Sequence, residues 1–395
     1  MNKQLIEKTF DKGEGIFRLY PLFIPRPTGR AGYRLRLHPD DYYAYGIERG
    51  SIKERWLSST TISRNATPKN PTEGLSFVAV DYASDEKFSL KEAVETLQDR
   101  LIGKELFQKY GAFPVFSKFF DYQNPLFFHV HLMEKDAARI GKSGKPEAYY
   151  FPKQLNTHLG NFPATYFGFK CDVKPEEVKR RLKNFDKEDV HMTELSIAYP
   201  IELGTGWFVP AGVIHAPASV LTYEPQWASD VTAVFENVVS GEPIAKRMLT
   251  AFCPDDKKDD IDYIFNFLDW EKNITNDFKK TYFRAPVEAV KTDAYCEKWI
   301  TYGNDLFSAK EITINPNQTV IIKDPAAYGI VFFQGHGKFG SFTCEAPTAL
   351  RFGQQSADEF FVSADAAKKG VQITNLSPIE PLTALKHFGP DNIKK

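Results

Sequence analysis

The sequence predicts an all-β-dominated fold, two β barrels with a few short helices around them. Three observations predict it. At 395 residues the chain is too long for one ordinary hydrophobic core, so two cores are the starting expectation. Aromatic residues make up 14 % of it, with 33 Phe and 18 Tyr, and such rings fit a pleated, half-buried surface well. Short apolar runs broken by turn residues recur along most of its length.

Residues 16–20 and 33–37 read as short strands, and Glu54-Arg55-Trp56-Leu57-Ser58-Ser59 as an isolated polar-aromatic strand. Residues 60–75, rich in Ser, Thr, Asn and Pro, read as a loop. Ser89 three residues before Glu92 is a capping box, so a helix opens there. Residues 175–182 form a second short helix with Pro175 in its first turn, and its charges are a solvated face. Residues 255–260 are a polar hinge or surface loop, and 261–268 carry aromatics at helical spacing, a packing face. Strands return after residue 300, including 320–322 and 330–333. The expected division is therefore 1–245, a barrel bearing the candidate site; 246–300, a helical connector; and 301–395, a smaller barrel that binds no metal.

Net charge is −1 and the pI is near 6.7, with no basic block, which argues against nucleic acid and anionic membrane as partners. The first residues lack a signal-peptide core and no apolar run reaches transmembrane length, so a cytoplasmic location is expected. Cys171, Cys253, Cys296 and Cys344 have no CxxC spacing and read as free thiols.

Two segments point to chemistry. His129-Val130-His131 is followed by Lys145-Pro146-Glu147, and further on Gly204 precedes Pro210-Ala211-Gly212-Val213-Ile214-His215. On a strand, side chains at i and i+2 share a face, so His129 and His131 enter one interior. With Glu147 and His215 they make three imidazoles and a carboxylate, a ligand set for a borderline divalent metal. Two imidazoles on one buried face otherwise leave several polar nitrogens to satisfy. His158, His191, His336 and His387 are expected to be ordinary core or edge residues, and His38 a turn residue.

The ordered motifs resemble the type I mannose-6-phosphate isomerases, zinc proteins with two cupin-type (jelly-roll) barrels. Gly204 to His215 looks like the second cupin motif. Glu54 to Ser58 looks like that family's GE-W-E-x-S strand, and Phe113-Pro114-Val115-Phe116-Ser117-Lys118 like its FPLL-x-K strand. Pro125 to His131 stands where the family has LSxQxHP, and Lys145 to Glu147 looks like its KxE. Val209 to His215, Glu224-Pro225-Gln226 and Ser229-Asp230-Val231-Thr232 look like PAGxxHA followed by ExQxxSDxT; Gly168-Phe169-Lys170 matches a family strand. The match covers residues 50–235 well and the C-terminal third in texture only.

The resemblance implies one zinc ion, or another divalent metal, on His129, His131, Glu147 and His215, with histidine replacing the family's glutamine at 129. It places active-site lysines on Lys118 and Lys145 and an acid/base glutamate on Glu224. It implies an aldose–ketose isomerase of carbohydrate metabolism acting on mannose 6-phosphate. Phe127 stands where the family has serine, and Val234 where it has the arginine that helps hold the charged substrate. Those departures leave room for a different sugar, phosphorylated or not, and for an alternative reading as a sugar-binding, regulatory metal cupin with reduced turnover. A cupin dioxygenase is a third reading, since three histidines and a glutamate also suit iron or manganese. Lys145 lies two residues from a ligand on one strand face. Both lysines, near a cation in a dry cavity, are expected to titrate below a free lysine.

Overall fold

The computed structural model describes residues 3–156 and 160–394; His158 lies outside the described residues. Strands account for 31 % of the chain and helices for 22 %, and the strand pairings are antiparallel.

Two facing sheets matter for the site. The first has seven strands in the order Phe283–Arg284, Gly206–Val209, Glu147–Tyr150, Thr222–Trp227, Val115–Phe120, Ile52–Leu57 and Leu22–Pro25. The second has five: Ile197–Pro200, Ala164–Phe167, His215–Ala216, His129–Val130 and Ala233–Val234. The central strands of the seven-stranded sheet are buried on both faces, because alternate residues serve different cores. Lys118 and Glu224 point one way. Phe119, Tyr150 and Tyr223 point the other, into a core shared with Ala309, Val331 and Leu385 of a second seven-stranded sheet.

That second sheet runs Ile16–Arg18, Glu359–Val362, Tyr328–Gln334, Leu382–Phe388, Ser308–Ile314, Tyr295–Thr301 and Val287–Lys291. It covers a four-stranded sheet that includes Thr319–Ile322, around a core of Ile312, Ile330, Phe339 and Phe360. Its outer strand Ile16–Arg18 comes from the start of the chain, and its strands Val287–Lys291 and Tyr295–Thr301 come from the stretch read as a connector. Arg55 bridges the two large sheets by ion pairs to Asp358 (2.7 Å) and Glu359 (3.0 Å).

Several expected elements form. Ser89 caps helix Leu90–Leu97 with the full capping box, Pro175–Lys183 is helical, and Ile261–Phe265 buries Ile264 and Phe265. Others differ. The 54–59 strand is not isolated: it is Ile52–Leu57, paired on both sides. Residues 33–37 are not a strand. Tyr33 and Arg36 have positive φ (64° and 58°), and the Arg34 and Arg36 guanidiniums bind the carbonyls of Ser219 and Phe333. Gly168-Phe169-Lys170 follows strand Ala164–Phe167 as a loop, with Gly168 at φ 60°. The N-terminal helix Lys3–Lys12 has no counterpart in the sequence reading.

His38 caps a turn through Asp40 N and His387 is buried, whereas His191 and His336 are exposed, His336 at the start of strand His336–Phe339. The four cysteines are free. No helix among the described residues is long and apolar enough to cross a membrane.

Candidate metal centre

The two facing sheets bring together residues up to 86 positions apart in sequence. His129 and His215 are direct cross-strand partners on the five-stranded sheet. His131 follows on the same chain segment, tied down where Gly212 N donates to its carbonyl (2.9 Å). Gly212 needs to be glycine: its φ is +83°, and a Cβ there would meet Met133 Sδ at 2.9 Å. Asn273 buttresses that turn from below, accepting from Ile214 N and donating to Gly212 O. From the opposite sheet comes Glu147, between Val209 and Gln226 in register.

The nitrogen atoms of His129, His131 and His215 approach within 4.8 Å of one another. Each Nδ1 lies on a backbone carbonyl: Phe127 O (2.9 Å), Val231 O (2.8 Å) and Val213 O (2.9 Å) respectively. A carbonyl can only accept, so each Nδ1 carries the proton and each Nε2 is left as a lone pair. His215 Nε2 is buried and makes no hydrogen bond among the described residues.

Glu147 faces these lone pairs. Its Oε2 is 2.8 Å from His131 Nε2 and its Oε1 is 3.1 Å from His215 Nε2. Acceptor against acceptor at that distance is repulsive unless something positive lies between. Protonating His129 or His131 is unfavourable: burial, then the neighbouring His215 and His131, holds His129 well below its ordinary value. Burial, with Lys145 adding to it against Glu147, pushes His131 down to about 4. Burial also works against ionising Glu147, but the Lys145 ammonium 2.6 Å away holds the carboxyl well below the usual range. Three imidazoles whose Nδ1 atoms are committed to carbonyls, so that Nε2 lone pairs point inward, and an ionised carboxylate are the donor set a divalent metal takes, and those carbonyls fix the rings for it.

The expected catalytic side chains share this cavity, about 220 Å³ in volume. Lys118 Nζ is 2.9 Å from Glu224 Oε1, its cross-strand partner, and 3.9 Å from Glu54. Lys145 Nζ contacts Glu147 Oε2 (2.6 Å), His131 Nε2 (3.1 Å) and Glu224 Oε1 (3.4 Å). Burial, then Glu147, raises Glu224 to about 8 against the pull of both lysines. The expectation that Lys118 titrates below a free lysine fails. Burial does act in that direction, but Glu224, Glu54 and Glu147 outweigh it and raise the ammonium above its ordinary value.

Two cavity residues escaped the sequence reading. Arg26, buried between two prolines, forms a fork on Glu54 (2.8 and 2.9 Å) and lies 3.6 Å from Asp230. Arg64 enters from the 60–75 loop, anchored by its own backbone N–H on Asp230 (3.0 Å). Its guanidinium has no hydrogen bond or ion pair among the described residues. The segment's signal was modest: an arginine in a polar loop. Beside the cavity, Phe127, Val234 and Ile244 form an apolar cluster, with Val234 directly opposite His129.

No family model and no curated protein matches the chain. Solved structures do. Mannose 6-phosphate isomerase from Bacillus subtilis aligns with TM-score 0.61 at 19 % identity, over 95 % of this chain and 99 % of that one. A point variant of phosphomannose isomerase from Salmonella typhimurium aligns with TM-score 0.63 at 12 % identity, over 95 % and 100 %. The fold is that of the mannose-6-phosphate isomerases. A zinc-bound mannose 6-phosphate isomerase shares it at 13 % identity and TM-score 0.62, over 95 % of this chain and 99 % of that one. At such identities the likeness concerns backbone architecture, so the chemistry has to be argued from this chain's side chains.

Proposed function

We propose that the chain is a metal-dependent aldose–ketose isomerase acting on mannose 6-phosphate, to give fructose 6-phosphate, or on a closely related sugar phosphate. One zinc ion would be held by His129, His131, Glu147 and His215. The observation that carries the proposal is the close approach of the unprotonated Nε2 atoms of His131 and His215 to the Glu147 carboxylate in a cavity that also holds two lysines and two further glutamates. The part of the chain that carries the reaction would then be the one built on the two sheets that hold these four residues, within 1–245.

Interconversion moves a proton between C1 and C2 through a cis-enediol. A divalent ion held by His129, His131, Glu147 and His215 would supply Lewis acidity toward the substrate oxygens. Glu224 Oε1, between Lys118 and Lys145, holds or takes the migrating proton, and its raised value suits exchange near neutral pH. The lysine ammonium groups stabilise negative charge as it develops on oxygen. Arg64 gives the phosphate a cation. The cavity wall has Arg26, Lys118 and Lys145 already matched to carboxylates, so Arg64 has the uncommitted guanidinium. It takes up the role that the apolar Val234 leaves open.

The test is direct. Metal analysis of the purified protein is expected to find zinc at about one equivalent per chain. Sugars incubated in deuterium oxide are expected to take label at C1 or C2. If no hexose, pentose or phosphate ester exchanges or binds better than about millimolar, the isomerase reading fails. Saturable binding without exchange would instead favour the regulatory sugar-binding cupin, and iron in place of zinc the dioxygenase.

A further inference from the structure

A second cavity, about 360 Å³, lies where helix Lys3–Lys12 and strand Ile16–Arg18 meet the 79–82 turn and the hairpin tip at 341–343. It shares no lining residue with the metal-centre cavity. Phe17, Val80 and Phe342 give it apolar walls, and Arg18 supplies its buried charge.

Arg18 is 3 % exposed, yet no carboxylate stands within ion-pair distance of it among the described residues. Its Nη2 donates to Gln355 Oε1, while the buried Nε and Nη1 donate to nothing there. Gln355 is itself fixed, its amide donating to the carbonyls of Asp81 and Ser84 at 2.9 Å each. The guanidinium stacks against the Tyr82 ring, with Cζ 3.1 Å from the ring centre, and Tyr82 is 56 % exposed. A cation–π contact offsets only part of the cost of a buried charge with unmet donors. At the rim Lys12 and Asp81 pair with each other (2.9 Å), so the lining carries one surplus positive charge, that of Arg18.

We infer that this cavity binds a small organic carboxylate, its anionic group meeting Nε and Nη1 of Arg18 as Tyr82 swings aside and its apolar body lying against Phe17 and Phe342. One surplus charge matches a monoanion, and the volume and apolar walls exceed what an inorganic ion needs.

The experiment titrates the full-length protein with fluorobenzoate, followed by fluorine NMR and calorimetry, with phenyl phosphate and inorganic phosphate as parallel probes. Saturable one-site binding of fluorobenzoate is expected, at least about tenfold weaker in Arg18→Met. Thr343 is exposed on the rim with its hydroxyl 3.4 Å from Tyr82 OH, and in Thr343→Glu the added carboxylate is expected to neutralise Arg18 and weaken binding as much. His215→Ala is expected to bind normally. No saturable binding, or undiminished binding in Thr343→Glu, overturns the inference. So does loss of binding in His215→Ala, which would put the carboxylate at the metal centre. Tighter binding of either phosphate probe overturns the carboxylate assignment.

Discussion

Two buried charge clusters in this molecule look alike in composition and differ in what they leave over. In the C-terminal sheet, Lys310 contacts Glu297 (3.0 Å) and Asp324 (2.8 Å), and Lys386 contacts Asp324 (2.7 Å) and Glu297. Two cations meet two anions and the account closes. At the candidate metal centre, lysines and carboxylates also pair, and Lys145 Nζ reaches both His131 Nε2 and Glu147 Oε2, but the buried His215 Nε2 lone pair faces Glu147 Oε1 at 3.1 Å with no donor between them among the described residues. Burial of charge therefore does not mark a site; unmatched acceptors converging on a cavity do.

The sharpest way to break the comparison is to remove a ligand. His215→Ala or Glu147→Ala is expected to drop bound metal from about one equivalent to below about a tenth while far-UV circular dichroism stays unchanged. A full equivalent retained in either variant means the ligand set is misassigned.

The complementary change is Lys386→Met. It leaves a buried carboxylate unmatched in the C-terminal cluster and is expected to cost about 3–5 kcal/mol in denaturant unfolding. Metal content should follow the folded fraction and nothing more. A cost under about 1 kcal/mol would show that this cluster is not closed as described.

Within the site, Lys145→Ala should keep the metal and slow deuterium exchange by about a hundredfold or more. Unchanged exchange removes Lys145 from the chemistry. Arg64→Ala should act on substrate binding: KM for the phosphate ester rising by about tenfold, with the unphosphorylated sugar unaffected. An equal effect on both sugars would make Arg64 a loop anchor.

The smallest effect concerns His387, buried against Ser117 Oγ and Tyr223 OH and pushed by burial down to about 3. Its ordinary value is 6.5, so between pH 6.5 and 3 the unfolded chain binds a proton that the folded one refuses. Stability is expected to fall progressively as pH drops through that window. His387→Gln should flatten the slope, which acid titration of the unfolding midpoint would reveal.

Much of the site was legible in the sequence because strand geometry is local. An i, i+2 histidine pair shares a face wherever a strand forms, and a Pro-x-Gly turn before His215 sets one ring's position. Arg26 and Arg64 were not legible, because a loop arginine has no period to betray where it points. The 33–37 segment misled for a related reason: its alternation imitates a strand, but the backbone turns left-handed at Tyr33 and Arg36, and the Arg34 and Arg36 guanidiniums bind carbonyls far away in sequence.

By itself, then, the sequence determined a strand-rich chain, the capped helix at Ser89 and the residue types gathered for a metal, since propensity, capping and side-chain chemistry act over a few residues. Tertiary structure alone decided that Glu147 confronts His131 and His215 across two sheets, that Lys118 is charged more firmly than a free lysine, and that the Arg64 guanidinium makes no hydrogen bond or ion pair among the described residues. Each of those depends on which distant groups share a cavity, and electrostatic energies inside a protein are set by neighbours in space and by exclusion of water.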